Sequence, residues 1–186
     1  MAHYIVVIID ILRRIKMDTN EIEFIKAYIN KPKSEDFYID AFEAYSAGGI
    51  DQFKWKWSWW AFGGGIFFLL YRKLYVEALI FFMLSAITSQ VPVVALVVWI
   101  VSGALFPYLV YLRYKKGKEM VLEKFSDKIE QLNALREYGG YNNWAIYLGV
   151  AVNILMLIWL TFMITLFAGL PNGTDMMQMD INGGGF

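Results

Sequence analysis

Two uncharged stretches limit what this chain can fold into more than any other feature. Residues 91–112 and 144–168 run for 22 and 25 positions without an Asp, Glu, Lys or Arg. At 1.5 Å per helical residue the shorter one extends about 33 Å, enough to cross a hydrocarbon core of about 30 Å. The longer one crosses with tilt. Residues 75–90 form a third, marginal span that carries Glu77 near its basic end. Hydrophobic residues make up 58% of the 186 positions and charged residues 18%. A soluble domain this small could not bury so much apolar surface, so lipid is the expected solvent.

Charge sets the expected threading. Of the 17 basic residues, eight precede Trp57, Arg72 and Lys73 sit at a junction, and seven lie between positions 113 and 136. The turn near residues 88–91 and everything after residue 168 have none. Basic residues gather on the cytoplasmic side. Three spans with the N-terminus inside and the C-terminus outside put all of them there. A fourth span at residues 57–70 would not.

The segment 53–75 holds Trp55, Trp57, Trp59 and Trp60, then Tyr71, Arg72, Lys73 and Tyr75. Aromatic rings with a polar edge favour the headgroup level, and basic side chains there reach phosphates. Its uncharged part, residues 57–70, is too short for an ordinary span and is broken by Gly63-Gly64-Gly65. It reads as an interfacial or re-entrant piece, with these eight residues as interface anchors.

Shorter amphipathic helices flank the spans. Asp18 with Glu21 suggests a capped start, Ile22, Ile25 and Ile29 share a face, and Pro32 stops the run. Ser34 is a candidate cap for a second helix with Tyr38, Ala41, Phe42 and Tyr45 on one face, ending at Gly48-Gly49. Residues 118–137 read as one further helix with Leu122, Phe125, Ile129 and Leu132 at heptad-like spacing. That stretch is too short for a lasting coiled coil and is expected to pack on the N-terminal cap or the bilayer surface. Residues 4–12 suggest an interfacial helix, with a short strand as the alternative, and residues 170–186 a disordered external tail. The expected domains are a cytoplasmic cap (1–52), the aromatic segment and hairpin (53–112), a basic helix (113–143), a third span (144–169) and the tail.

The run Phe53-Lys-Trp55-Lys-Trp57-Ser-Trp59-Trp-Ala-Phe62, followed by Leu69-Leu70-Tyr71-Arg72-Lys73-Leu74-Tyr75, resembles the bacterial family catalogued as domain of unknown function 2628. Tyr111-Leu112-Arg113 and Gly139-Gly140 also look like that family's pattern, and the likeness covers roughly residues 37–168. Gly63, Gly64 and Ile66 depart from it. The resemblance implies a small bacterial inner-membrane protein and carries no activity.

Without Cys, and with His3 as the single His, thiol chemistry and multi-histidine metal sites are excluded. Glu77 is the one ionisable group well inside a span. An i,i+4 pair with Lys73, or a contact with Arg72, accounts for it more cheaply than a proton or cation site. Asn153, Thr161 and Thr165 share a face of the third span and suit contact with a neighbouring helix, or a polar path. Gly103 and Pro107 suggest a kink, because proline leaves the Gly103 carbonyl without its donor. The fold class expected is an all-α membrane protein with three transmembrane helices, an interfacial or re-entrant aromatic segment and short cytoplasmic amphipathic helices. The function expected is a non-enzymatic interaction or assembly component of the bacterial inner membrane. It needs no cofactor or metal and has as partners the bilayer with its anionic headgroups and another protein or a second copy, not nucleic acid. The alternative is a small oligomeric transport or channel subunit using Glu77, Asn153 and the Gly103–Pro107 kink, with Glu77, Asn153, Thr161 and Thr165 as the possible intramembrane polar site.

Overall fold

A computed structural model describes residues 19–47 and 49–168. Within them lie seven helices and no strand: α1 (Thr19–Ile29), α2 (Pro32–Ser46), α3 (Trp59–Tyr71), α4 (Tyr75–Thr88), α5 (Pro92–Lys124), α6 (Lys128–Tyr138) and α7 (Trp144–Ala168). The described residues divide into two compact units between Ile146 and Tyr147. Residues 4–12, Asp18 and the tail from residue 170 lie outside the described residues, so the readings made for them have no counterpart below.

The amphipathic faces expected of α1 and α2 are the faces that pack. Ile25 and Ile29 of α1, and Tyr38, Ala41, Phe42 and Tyr45 of α2, are buried in the first unit's core. The start of α2 differs from expectation. Lys31 occupies the cap position and Pro32 the first turn, while Ser34 lies inside the helix. Proline's fixed φ and missing N–H suit that first position, so it outcompetes a serine two residues later.

The helix α5 organises this unit. Over its first ten residues the large apolar side chains, Val93, Leu96, Val97 and Ile100 among them, stand exposed. From Ser102 onward one face is covered: Ala104, Phe106, Pro107, Val110, Tyr111, Tyr114 and Val121 are all buried, while Leu105, Leu112, Met120 and Leu122 remain exposed. Phe106 sits between Phe68 of α3, stacked at 6.0 Å, and Phe81 of α4, edge-on at 4.8 Å. Farther along, Phe42 of α2 stacks on Tyr114 at 5.1 Å, and Tyr28 of α1 meets the same ring edge-on at 5.3 Å. Aromatic pairs of this geometry add about 0.5–1.5 kcal/mol each beyond their burial.

Pro107 lies inside α5, and the carbonyl it frees is not left empty. The Ser58 N–H donates to the Gly103 oxygen at 2.9 Å, while the Ser58 hydroxyl accepts from Ala61 N and caps α3. A buried carbonyl without a donor would cost about 1–3 kcal/mol, so this bond fixes where the aromatic segment attaches. From there α3 runs beside α5 in a bent path. Trp99 Nε1 donates to the Phe62 carbonyl at 3.1 Å and the two rings stack at 4.4 Å. After Gly65, at φ +48°, the helix changes direction and Phe68 reaches Phe106. Partners on α5 thus run from Gly103 out to Trp99 and back to Phe106. A left-handed φ of that kind suits glycine, which has no Cβ to clash.

Two helices, α5 and α7, are long and apolar enough to cross a membrane. The third expected span is not among them: α4 has 14 residues, about 21 Å at 1.5 Å per residue. The residues expected to extend it are not helical, because 72–74 form a turn before it and Ser89 closes it. The expected helix over 118–137 is also two pieces. α5 continues to Lys124, Phe125 takes an extended conformation, and Asp127 starts α6 by accepting from the N–H groups of Ile129 and Glu130. An aspartate cap there outweighs continuation of the helix. The heptad-like stripe divides with it: Leu122 and Ile129 are exposed, while Phe125 and Leu132 pack against the core, α6 lies on α1 and Leu135 is buried.

A Cβ at Gly103 would lie 2.8 Å from the Trp57 ring and 3.1 Å from Phe62 Cβ. Gly103→Val is therefore expected to cost about 1–3 kcal/mol of stability by overpacking. At Gly63 a Cβ meets nothing within 4 Å, so Gly63→Ala should stabilise by up to about 1 kcal/mol. Thermal unfolding of the two variants in one detergent checks the pair.

Candidate functional site

Chemistry-bearing side chains converge on the first unit in two places. The first is a seam along one face of α5, where Tyr111 and Lys115, and Tyr114 and Lys118, form two pairs each four residues apart. Tyr114 OH donates to Glu21 at 2.8 Å, and Lys118 donates to the other oxygen of that carboxylate. One turn earlier Tyr111 and Lys115 hold Asp51 in the same manner. Each carboxylate takes one phenol and one ammonium, which ties α1 and the loop after α2 to α5. A cleft of about 240 Å³ lies between the two clusters. Hydrogen bonds from Lys115 and then Tyr111 hold the Asp51 carboxyl below its usual range.

The second place is the turn between α3 and α4. Lys73 N bonds to the Leu70 carbonyl and Leu74 N to the Leu69 carbonyl, with Lys73 at φ +60° and Leu74 fully buried. That pair of bonds is a helix-ending motif that normally takes glycine. The turn points Arg72 inward. Its Nη1 donates to the Ile29 carbonyl at 3.2 Å, and its guanidinium covers the Tyr38 ring at 4.7 Å.

The expected interface anchors separate accordingly. Trp55, Trp59, Trp60 and Tyr75 are exposed. Trp57 is half-buried, wedged between Trp59 and Phe62 at 5.4 and 5.1 Å. Lys73 donates to the Glu137 carbonyl at 3.0 Å. Tyr71 and Arg72, read from the sequence as interface anchors with the others, are buried. The turn rotates both toward α1 and α2, where Arg72 meets the Ile29 carbonyl and the Tyr38 ring and Tyr71 OH accepts from Lys31.

Glu77 departs from the expected ion pair. It makes no ion pair with Lys73 or Arg72, because both precede the helix that carries it and the i,i+4 relation does not exist across the turn. It lies instead in the first turn of α4, where the helix dipole favours a negative charge. In the second unit, Asn153, Thr161 and Thr165 do share a face of α7. Each bonds its own helix four residues back: to Gly149 at 2.7 Å, Leu157 at 2.8 Å and Thr161 at 2.9 Å. Inward bonding of this kind satisfies a short polar side chain that has no external partner. No group of three or more His, Cys, Asp or Glu among the described residues is placed to hold a metal ion.

Sequence reasoning missed Asp51, Glu21 as a tyrosine acceptor, Tyr38 under Arg72, and Asn142, which donates to Tyr75 OH. The spacing Tyr111, Tyr114-Lys115, Lys118 was the available signal, since it puts two phenols and two ammoniums on one helical face. Nothing local marked Asp51 as their partner. No family model, curated protein or solved structure matches this chain. Among the described residues the fold is all-helical, with two helices long and apolar enough to span a bilayer, a character compatible with a membrane protein.

The lowered Asp51 pKa fixes the sign of a pH effect. Its contribution to stability is present above the ordinary carboxylate range near pH 4 and is lost as pH falls through the lower folded-state value. Asp51→Asn should remove that acid-side loss and flatten the stability profile below about pH 4. Thermal melts across pH 2–7 provide the measurement.

Proposed function

We propose that this protein is an integral component of a bacterial inner membrane that catalyses no reaction and presents a helical cap at the cytoplasmic face as an interaction or assembly surface. The observation that carries the proposal is the change of surface along α5, from exposed apolar residues before Ser102 to a length with one face buried against α1, α2 and α3 and charged side chains beyond Leu112. Water would penalise the first part at about 25 cal/mol for each Å² of apolar surface left exposed. Along α7, large apolar side chains are exposed on every side, from Leu148 to Leu166. A helix apolar all round belongs in a core or in lipid.

In this reading the N-terminus is cytoplasmic, α4 and the start of α5 form a hairpin in the bilayer, and α7 passes outward. The placement of the basic residues supports that orientation. The hairpin's first arm, α4, is short, so the bilayer thins locally or the interfacial aromatic segment fills the difference. Kinship with the domain of unknown function 2628 family belongs to the proposal and rests on the Tyr71-Arg72-Lys73 motif with its aromatic lead-in. The transport-subunit reading draws support from Glu77, which has no ion-pair partner among the described residues.

Met120, Leu122 and Ile129 are exposed apolar side chains on the cap side of the molecule. A photo-crosslinking residue at position 129 should yield one discrete adduct in intact membranes, either a second copy or another protein. The same probe at position 93 should yield adducts chiefly with lipid. Only uncrosslinked chain from position 129, across growth conditions, would contradict an interaction role.

A further inference from the structure

Beside the turn that buries Arg72 lies a cleft of about 320 Å³ whose lining has cations and hydroxyls but no carboxylate. Lys31 and Lys33 enter from the start of α2, together with Ser34. Arg72 and Tyr71 come from the end of α3. Arg72 is 4% exposed, and its Nε is buried without a hydrogen-bond partner. Lys31 donates to Tyr71 OH at 2.8 Å and stands 5.0 Å from the centre of that ring. Lys33 is exposed and forms no ion pair among the described residues. Three positive charges thus converge where no acidic side chain lines the wall, and the positive end of the α2 dipole adds to them. Elsewhere in this unit Lys56, Lys115, Lys118 and Lys128 each have a carboxylate partner.

The same cleft is also lined by apolar and aromatic side chains: Phe37, Phe68 and the exposed Trp60. A site that joins three cations with aromatic and apolar side chains matches an amphiphile, with phosphate against Lys31, Lys33 and Arg72 and hydrocarbon along Trp60. Guanidinium and ammonium groups are the usual partners of phosphate oxygens, and a tryptophan at the rim is at home at the lipid headgroup level. A small soluble phosphate would have no use for the aromatic side chains.

We infer that the cleft formed by Lys31, Lys33, Ser34, Tyr71 and Arg72 beside Trp60 binds the phosphate of one anionic phospholipid. The site deepens the membrane reading and rests on it. A bound lipid would join α2 to the α3–α4 turn and complete the hydrogen bonding of Arg72.

The test uses full-length protein in nanodiscs of phosphatidylcholine and phosphatidylglycerol, with lipid retention read by native mass spectrometry. One retained phosphatidylglycerol per chain is expected. Lys33→Gln should weaken its retention about tenfold, the effect of losing one charge-assisted contact, and Lys31→Gln combined with Lys33→Gln should weaken it further. Lys116→Gln removes an exposed cation outside the cleft and should leave retention unchanged. Lys33 forms no ion pair among the described residues, so its variant should keep the wild-type melting temperature even where an Arg72→Gln variant fails to fold. Equal loss with Lys116→Gln, or undiminished retention in the double variant, would overturn the site. Displacement by millimolar inorganic phosphate would overturn the lipid as its ligand. Membrane residence is read separately, by whether the chain stays with the bilayer after alkaline carbonate washing. Loss there would refute the membrane reading, while failure of the lysine variants alone would refute only the site.

Discussion

One helix has to satisfy two different surroundings, and the first unit is arranged around that constraint. The beginning of α5 exposes valines, leucine and isoleucine, a surface that water penalises, while its end carries lysines that need water or a carboxylate. Between them Pro107 frees a carbonyl, and the Ser58 N–H fills it. That bond sets the level at which the aromatic segment joins the long helix. It also places Trp57 over Gly103, where only a residue without a side chain leaves room. The cap helices then close over one face of the remaining length through stacked rings and two carboxylate clusters.

The turn at Arg72 shows how a short sequence can mean something other than its composition suggests. Basic and aromatic residues in Tyr71-Arg72-Lys73 suit a membrane surface, yet backbone geometry decides which way they face. The bonds that end α3 direct Tyr71 and Arg72 into the fold and leave Lys73 at the edge. Burial of a guanidinium is tolerable here because rings and a carbonyl surround it. The same turn starts α4 afresh, which removes the helical relation between Lys73 and Glu77.

Much of the local architecture was legible from pattern. The faces of α1 and α2, the helix over 144–168 and the break at the glycines of α3 follow from apolar spacing and from glycine's freedom. The length of α4 was not legible, since apolar residues continue past both of its ends and only the turn chemistry stops it. The split at Asp127 was present in the sequence as a cap signal, but the apolar repeat across it was the louder pattern. Among the site residues, Tyr111, Tyr114, Lys115 and Lys118 could be grouped by helical spacing. Their acceptors Glu21 and Asp51 lie 60 or more positions away, and pairing at that distance depends on the packed fold.

The claim that lipid surrounds the exposed start of α5 is open to a direct reading, because the chain has no cysteine to interfere. Single cysteines at positions 93, 96, 97 and 100, and at 116 and 120, can be challenged with a membrane-impermeant maleimide in native membranes. Lipid burial predicts that the first four stay unlabelled, and that 116 and 120 react only when the cytoplasmic face is open to the reagent. Labelling at positions 93–100 as fast as at 116 would mean that water, not lipid, bathes that surface.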